Sequence, residues 1–151
     1  MSKTFSLQPL QKLAQQKTDD ATQRLGKLSQ QQQSAQSQLE ALQQYRRDYQ
    51  TRLQQAMQEG IGQTELSNFH DFIRRLDQAI TQQQAVMDQA QRSVQLGRGI
   101  LTEAQRKMKT FDALEQRYLE NQQRLVVKAE QKAQDEFASR QAARHLVNET
   151  A

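Results

Sequence analysis

The sequence predicts an all-α fold, a long antiparallel two-helix coiled-coil hairpin with a C-terminal helical overhang. Apolar residues recur at seven-residue intervals in two long stretches, which is typical of coiled coils. The segment Gly60-Ile61-Gly62 separates these stretches. One proline and five glycines in 151 residues favour long uninterrupted helices. These observations together predict two helices joined by a short turn.

The first heptad stretch has one strong apolar row, which we assign to position d. Its members are Leu7, Ala14, Ala21, Leu28, Ala35, Leu42, Tyr49 and Ala56. The a positions form a weaker row that consists of Gln11, Thr18, Leu25, Gln32, Leu39, Arg46 and Leu53. We therefore expect helix one over about residues 7–58, followed by a turn at about residues 59–63.

The second stretch has a stronger seam. Its a positions are Leu66, Ile73, Ile80, Met87, Val94, Leu101 and Met108. Its d positions are Phe69, Leu76, Gln83, Ala90, Gly97, Ala104, Phe111 and Tyr118. This pattern predicts helix two over about residues 64–145.

The two stretches match when the chain reverses at Ile61. Each d residue of helix one then faces an a residue of helix two at the same distance from Ile61, as Tyr49 faces Ile73 and Ala14 faces Met108. Unrelated helices would not keep this agreement over the whole of helix one. A short reversal also favours glycine, because glycine tolerates positive φ.

Three glycines lie at one level of this hairpin, Gly26 in helix one and Gly97 and Gly99 in helix two. They indicate either a close approach of the two backbones or a locally weak point, since glycine lowers helix stability by up to about 1 kcal/mol. Of these two interpretations we favour the weak point.

The pairing ends near Tyr118, because Leu7 faces Glu115 and no earlier heptad remains in helix one. The residues beyond keep a helical composition and include Leu125, Val126 and Phe137. They form either a frayed, solvated tail or a helix whose exposed apolar residues contact a partner.

Composition limits the class of protein. Only 35% of residues are hydrophobic and tryptophan is absent, which is too little for a thick globular core and enough for a two-helix seam. We interpret residues 1–151 as a single domain. The lack of cysteine excludes disulfides and thiolate metal sites, and we expect no metal or cofactor. No apolar run approaches the roughly 20 residues of a membrane span, so we expect a soluble, unexported protein.

Catalytic and nucleic-acid-binding patterns are weak. His70 and His145 lie far apart, no glycine-rich phosphate loop occurs, and a two-helix coil offers no concave site, so we expect no enzyme. The net charge of +4 comes from acidic and basic residues scattered along both helices. A nucleic-acid interface usually clusters basic residues on one face. A nucleic-acid-binding coiled-coil arm therefore stays open only as a minor alternative.

A candidate binding patch lies beside the seam. Tyr45 and Phe72 occupy position g, directly before the a residues Arg46 and Ile73. The two g rows of an antiparallel pair share one edge. On this edge the further g residues are Gln38, Ala79 and Val86, and the neighbouring seam residues are Leu42, Tyr49 and Leu76. Exposed aromatics often anchor interfaces. Spacing alone leaves open whether these aromatics bind a partner or only cover the core.

Several segments resemble one family. LQPLQKLAQQKTDDATQRLGKL at Leu7 to Leu28, LEALQQYRRDYQTRLQQAMQEGI at Leu39 to Ile61, NFHDFIRRLDQAI at Asn68 to Ile80 and, more weakly, DEFASRQAAR at Asp135 to Arg144 are similar to the FliJ family. This family consists of coiled-coil proteins of the flagellar type III export apparatus. The resemblance covers nearly the whole chain.

The resemblance implies a cytoplasmic, non-enzymatic protein at the inner-membrane export apparatus. The implied partners are the export ATPase FliI, the export-gate protein FlhA and escort chaperones. Carried over by position, the family's gate-binding surface falls on Gln38, Leu42, Tyr45, Tyr49, Phe72, Leu76 and Ala79. A generic coiled-coil scaffold or homodimeric adaptor, in which the overhang pairs with a second copy, is the alternative.

The overhang is the candidate for entering the ATPase ring. A single helix is only about 10–12 Å across, so it enters a narrow channel more readily than a pair. The resemblance to the gamma-subunit coiled coil of F-type ATPases favours the same end. The residues expected to contact the ring are Arg117, Arg124, Leu125, Lys128 and Lys132.

Overall fold

Two helices account for nearly all of the described structure, a computed structural model that describes residues 5–150. Helix α1 spans Gln8–Glu59 and helix α2 spans Gln63–Thr150. The two helices pack against each other in an antiparallel arrangement, and residues 5–150 contain no strand. The predicted all-α hairpin is confirmed. The interpretation of residues 1–151 as one domain stays a prediction, and its two ends lie outside the described residues.

The turn between the helices depends on one glycine conformation. Gly60 has a φ of 87°, a value that other residues adopt only with strain. Its N–H donates a hydrogen bond to the Met57 carbonyl at 3.4 Å, at the end of α1. The Gly62 carbonyl accepts a bond from the Leu66 N–H at 3.0 Å, at the start of α2. Gly60 therefore supplies the positive φ that the sequence predicted for this reversal.

The predicted heptad rows form the core. Every a and d residue assigned above, from Leu7 to Ala56 and from Leu66 to Tyr118, is buried or half-buried. The most buried apolar residues are Ala14, Ala21, Ala35, Leu39, Leu53, Leu76, Met87 and Val94. Their small or medium size fits a seam between two helices rather than a thick globular interior.

The chain divides into two compact units, and the larger comprises Gln16–Gln105. In this unit Ala35, Leu39 and Met87 form a buried cluster, against which Ile80 and Ala90 pack. Ala35 and Met87 are one of the pairs that lie equally far from Ile61. The predicted register is therefore present in the core of this unit.

Gly97 marks a close approach of the two helices within this larger unit. Gly97 is buried, and a β-carbon placed there would lie 3.0 Å from Leu28 Cδ1 and 3.3 Å from Leu25 Cδ1. The weak point that we favoured is therefore wrong at Gly97, because two leucines fill the space above it. Gly26 and Gly99 are different, since nothing lies within 4 Å of a β-carbon at either position.

The second unit contains the residues up to Gln15 and those from Arg106 onward. In it the rings of Phe5 and Tyr118 lie 5.5 Å apart. The Gln11 amide donates hydrogen bonds to Asp112 Oδ1 at 2.9 Å and to Glu115 Oε2 at 2.5 Å. Gln11 occupies an a position, and these hydrogen bonds satisfy its polar side chain at the margin of the seam.

The predicted overhang is present as a helix. Gln122 is the last half-buried residue of α2, and residues 123–150 are all exposed. We call residues 123–150 the overhang. They continue α2 to Thr150 without a break. Burial therefore ends slightly beyond Tyr118, where the sequence placed the last pair.

Candidate partner-binding surfaces

An aromatic cluster lies beside the seam in the larger unit. The Tyr49 ring lies between two others, with its centroid 5.2 Å from that of Phe69 and 4.2 Å from that of Phe72. Tyr49 and Phe69 are half-buried d residues, whereas Phe72 is a g residue that remains 40% exposed. Phe72 thus covers part of the core and also presents a face to solvent. The contact of this exposed face with a partner stays a prediction.

Tyr45 is the most exposed aromatic side chain of the predicted gate-binding set. It is 63% exposed, and no ring pairs with it in the described structure. The position of Tyr45 before the a residue Arg46 explains this exposure, because a g side chain points past the seam. Tyr45 can be removed without opening the core.

The remaining predicted residues differ in accessibility. We call Gln38, Leu42, Tyr45, Tyr49, Phe72, Leu76 and Ala79 the aromatic patch. Gln38 is exposed, Leu42 and Ala79 are half-buried, and Leu76 is only 8% exposed. The surface available to a partner therefore consists mainly of Tyr45, Phe72 and Gln38, while Leu76 belongs to the core.

An ion pair compensates the polar seam residue beside this patch. Arg46, an a residue, donates a hydrogen bond from Nε to Asp77 Oδ1 at 2.5 Å. The hydrogen bond to Asp77 and the charge of its carboxylate raise the pKa of Arg46 above its usual value. Asp77 was not among the residues predicted from the sequence. The available signal was its position directly after Leu76, the residue that faces Arg46.

A second polar seam residue makes a hydrogen bond between the helices. The Gln83 side-chain amide of α2 donates to the Ala35 carbonyl of α1 at 3.0 Å. Gln83 and Arg46 are polar residues at seam positions, Gln83 at d and Arg46 at a. Both side chains have partners on the opposite helix, so neither leaves a polar group unsatisfied there.

The residues predicted to contact an ATPase ring are all exposed. Arg117, Arg124, Leu125, Lys128 and Lys132 lie on α2. The four basic residues are spaced by seven, four and four residues, which places them along one side of the helix. Leu125, which is 61% exposed, borders this side, whereas Val126, which is 55% exposed, lies on the opposite side of the helix. The basic residues and Leu125 thus combine positive charge with apolar contact area.

Other kinds of site have little support in the described residues. Residues 5–150 contain no group of three or more His, Asp or Glu side chains able to hold a metal ion. Neither helix, where described, has an apolar stretch suited to crossing a membrane. The strongest features of the molecule are therefore its exposed side chains on a helical hairpin.

These features define a helical hairpin protein with exposed aromatic and basic side chains. The family model described as "Flagellar FliJ protein" matches residues 2–146. The chain is 29% identical over 144 residues to the flagellar FliJ protein of Escherichia coli strain K12, with 95% of this chain and 98% of the relative covered. It is 30% identical to the flagellar FliJ protein of Salmonella typhi, with the same coverage.

The chain belongs to the flagellar FliJ family. This assignment supports a role as a component of the flagellar export apparatus, as the sequence resemblance implied. The names of these relatives describe a flagellar protein and no enzymatic reaction.

Proposed function

We propose that this protein is a non-enzymatic, cytoplasmic component of the flagellar type III export apparatus, peripherally associated with the inner membrane. It links the export ATPase FliI to the export-gate protein FlhA, and it also binds escort chaperones. The family assignment supports the setting. The aromatic patch and the overhang share no residue and both contain exposed apolar side chains, which supports two binding surfaces on one chain.

The observation that carries the gate-binding proposal is the exposure of Tyr45. A tyrosine that is 63% exposed contributes little to the seam beside it. Tyrosine is frequent among the residues that dominate binding energy in interfaces. Phe72 extends the same apolar surface, and Tyr49 supports it from beneath at 4.2 Å. Tyr45 and Phe72 are the contacts that FlhA buries.

The test compares two aromatic residues of nearly equal exposure. Tyr45→Ala should weaken binding to purified FlhA at least about tenfold, the equivalent of 1.4 kcal/mol, and leave the melting temperature unchanged. Phe137, which is 64% exposed in the overhang, supplies the matched control. Phe137→Ala should bind FlhA normally. Normal FlhA binding by Tyr45→Ala would contradict the proposed surface.

Phe72→Ala needs a stability measurement beside the binding measurement. The substitution removes the ring contact with Tyr49, which contributes about 1 kcal/mol in addition to the area that it buries. We expect a lower melting temperature as well as weaker binding. Binding should be measured well below that temperature, where the hairpin is fully folded.

The ATPase-binding surface is assigned to the overhang and to Arg117, which is exposed before it. No described residue from 123 to 150 is even half-buried, so the whole helical circumference is available. Arg124, Lys128 and Lys132 provide positive charge, and Leu125 lies among them. A ring channel lined by acidic and apolar groups would suit this surface.

Removal of residues 123–150 tests this assignment. The truncated protein should keep its melting temperature and its FlhA binding, because it retains every residue that is buried or half-buried within residues 5–150. It should lose stimulation of FliI and stabilisation of the ATPase hexamer. Normal stimulation by the truncated protein would make the turn end the better candidate. A concentration-dependent dimer of the full chain that the truncation abolishes would favour the homodimeric adaptor instead.

A further inference from the structure

Helix α2 carries a third apolar row in addition to its a and d rows. The row occupies position g and consists of Phe72, Ala79, Val86, Ser93 and Ile100, of which only Ser93 is polar. Val86 is 52% exposed and Ile100 is 51% exposed. Leu96, on the helical turn before Ile100, is 68% exposed. The apolar face of α2 is therefore wider than one two-helix seam requires.

The opposite edge of the same pair of helices is polar. Position e carries Gln84, Gln91 and Arg98 on α2, and it carries Ser29 and Gln36 on α1. All five residues are exposed, and four of them are glutamine or serine. The apolar side chains at position g are thus a property of one edge and not of the whole surface.

Two basic residues of α1 lie near Ile100 and the apolar residues around it. Because Gly97 packs against Leu25 and Leu28, the neighbouring residues Arg24 and Lys27 lie alongside this part of α2. Arg24 is a g residue, so it shares the edge with Ile100. In the described structure neither basic side chain has an ion pair or a hydrogen bond.

Two acidic residues, Asp20 and Glu103, occupy position c just beyond one end of this edge, and the edge itself has only basic charges. Position c lies next to position g on the helix surface. Within residues 22–36 of α1 and 86–100 of α2, the g and c positions contain no Asp or Glu. We call Arg24, Lys27, Val86, Leu96 and Ile100 the basic apolar edge. It lies entirely within the larger unit and shares no residue with the aromatic patch.

We propose that the basic apolar edge binds an amphipathic helix of a partner protein, one with an apolar stripe flanked by acidic residues. The apolar row fits helical recognition, in which side chains on one face fill a shallow groove. Val86 and Ile100 are about 21 Å apart along the helix at 1.5 Å per residue, so the bound helix needs about 15 residues. Arg24 and Lys27 select acidic flanks by charge complementarity.

A second copy of this chain fits the edge less well than an acidic helix. In a two-fold symmetric interface the same surface would meet itself. Such an interface would contain four basic side chains, Arg24 and Lys27 from each copy, and the g and c positions within residues 22–36 and 86–100 contain no Asp or Glu to compensate them. This excess of positive charge is unfavourable. The inference does not depend on the partners proposed above.

The direct test uses three synthetic peptides of about 15 residues and the full-length protein. The first peptide has a leucine stripe flanked by glutamates. The second has the same stripe flanked by lysines. The third has the composition of the first in scrambled order, so that it lacks the stripe. Fluorescence anisotropy should show that the glutamate peptide binds at least about tenfold more tightly than the other two. Its affinity should fall as salt is raised. Equal binding of the glutamate and lysine peptides would overturn the charge assignment.

Variants of the protein locate the binding site. The double variant Leu96→Gln, Ile100→Gln should bind the glutamate peptide at least about tenfold more weakly. The double variant Arg24→Gln, Lys27→Gln should lose most of the salt dependence of this binding. The matched control is Val126→Gln with Val127→Gln, since these overhang valines are 55% and 53% exposed. The control should bind normally, and circular dichroism should show full helicity for all variants.

Two results would overturn the proposal. The first is unchanged peptide binding by the Leu96→Gln, Ile100→Gln variant at full helicity. The second is a dimer of the full-length chain in sedimentation equilibrium that this variant abolishes, because a second copy would then be the occupant of the edge.

Discussion

Helix α2 contains two stretches that share their secondary structure and differ in burial. Up to Gln122 its a and d residues are buried or half-buried, whereas residues 123–150 are fully exposed. The same residue type illustrates the difference, since Val94 is 3% exposed and Val126 is 55% exposed. Both stretches are helical and both contain apolar residues. What distinguishes them is the presence of α1 as a partner for a regular heptad row.

The comparison separates helix formation from helix stability. Isolated helices are only marginally stable in water, and tertiary packing supplies most of the stability of helices in proteins. The paired stretch gains about 25 cal/mol for each Å² of apolar surface that it buries. The overhang gains none of this from its own chain, because Val126, Val127 and Phe137 remain exposed.

Hydrogen exchange should show the largest difference between the two stretches. Amides near Leu76 and Met87 should exchange at least about a thousandfold more slowly than amides between Lys128 and Thr150. The paired amides open only with the cooperative structure, whose stability is on the order of 5 kcal/mol or more. The overhang frays without disturbing that structure. Equal protection along the whole of α2 would show that the overhang is stabilised by some contact other than the seam.

The same substitution in each stretch should have unequal effects on stability. Val94→Asp places a charge in the seam, where it lacks a partner, and should lower the free energy of unfolding by roughly 3 kcal/mol. Val126→Asp, at an exposed site, should change it by less than about 1 kcal/mol through helix propensity. Urea denaturation followed by circular dichroism measures both values. Similar destabilisation by the two variants would contradict the proposed division.

A smaller difference in stability should separate alanine substitutions at Gly97 and Gly99, which lie on different faces of one helical turn. Gly99→Ala adds a methyl group in open space and should stabilise the protein by up to about 1 kcal/mol. Gly97→Ala gains the same helix propensity, but its new methyl group would lie 3.0 Å from Leu28 Cδ1. We expect Gly97→Ala to be the less stable of the two variants by about 1 kcal/mol. Thermal melting that ranks Gly97→Ala as equal or higher would show that Leu28 moves aside freely.

The heptad rows made the fold predictable. A seam repeated at every seventh residue leaves few alternatives for which face is buried, and each assigned residue from Leu7 to Ala56 is buried or half-buried. The turn was also predictable, because Gly60 is suited to its φ of 87°. The extent of the overhang followed from the unequal lengths of the two helices.

The site was less predictable than the fold. The g position of Tyr45 indicated its exposure, but the contact of Phe72 with Tyr49 depends on side-chain rotamers and on the separation of the helices, which periodicity does not give. The partner of Arg46 was missed for a related reason. The register placed Leu76 opposite Arg46, and the long arginine side chain reaches the adjacent Asp77 instead. The basic apolar edge could be identified only with the pairing of the two helices and the exposed fractions of the side chains in hand.

The equal spacing of paired residues about Ile61 has an evolutionary consequence. One inserted or deleted residue in either helix would change the pairing of every layer that lies beyond it, as counted from the turn. It would also rotate the apolar side chains of those layers out of the seam by about 100°. Changes in length between Leu7 and Gln122 are therefore tolerated mainly as whole heptads added to or removed from both helices together. Beyond Gln122 no such coupling applies, because residues 123–150 are fully exposed. Pairing with α1 therefore sets no period for length changes in the overhang, where only the one-sided row of Arg124, Lys128 and Lys132 depends on spacing.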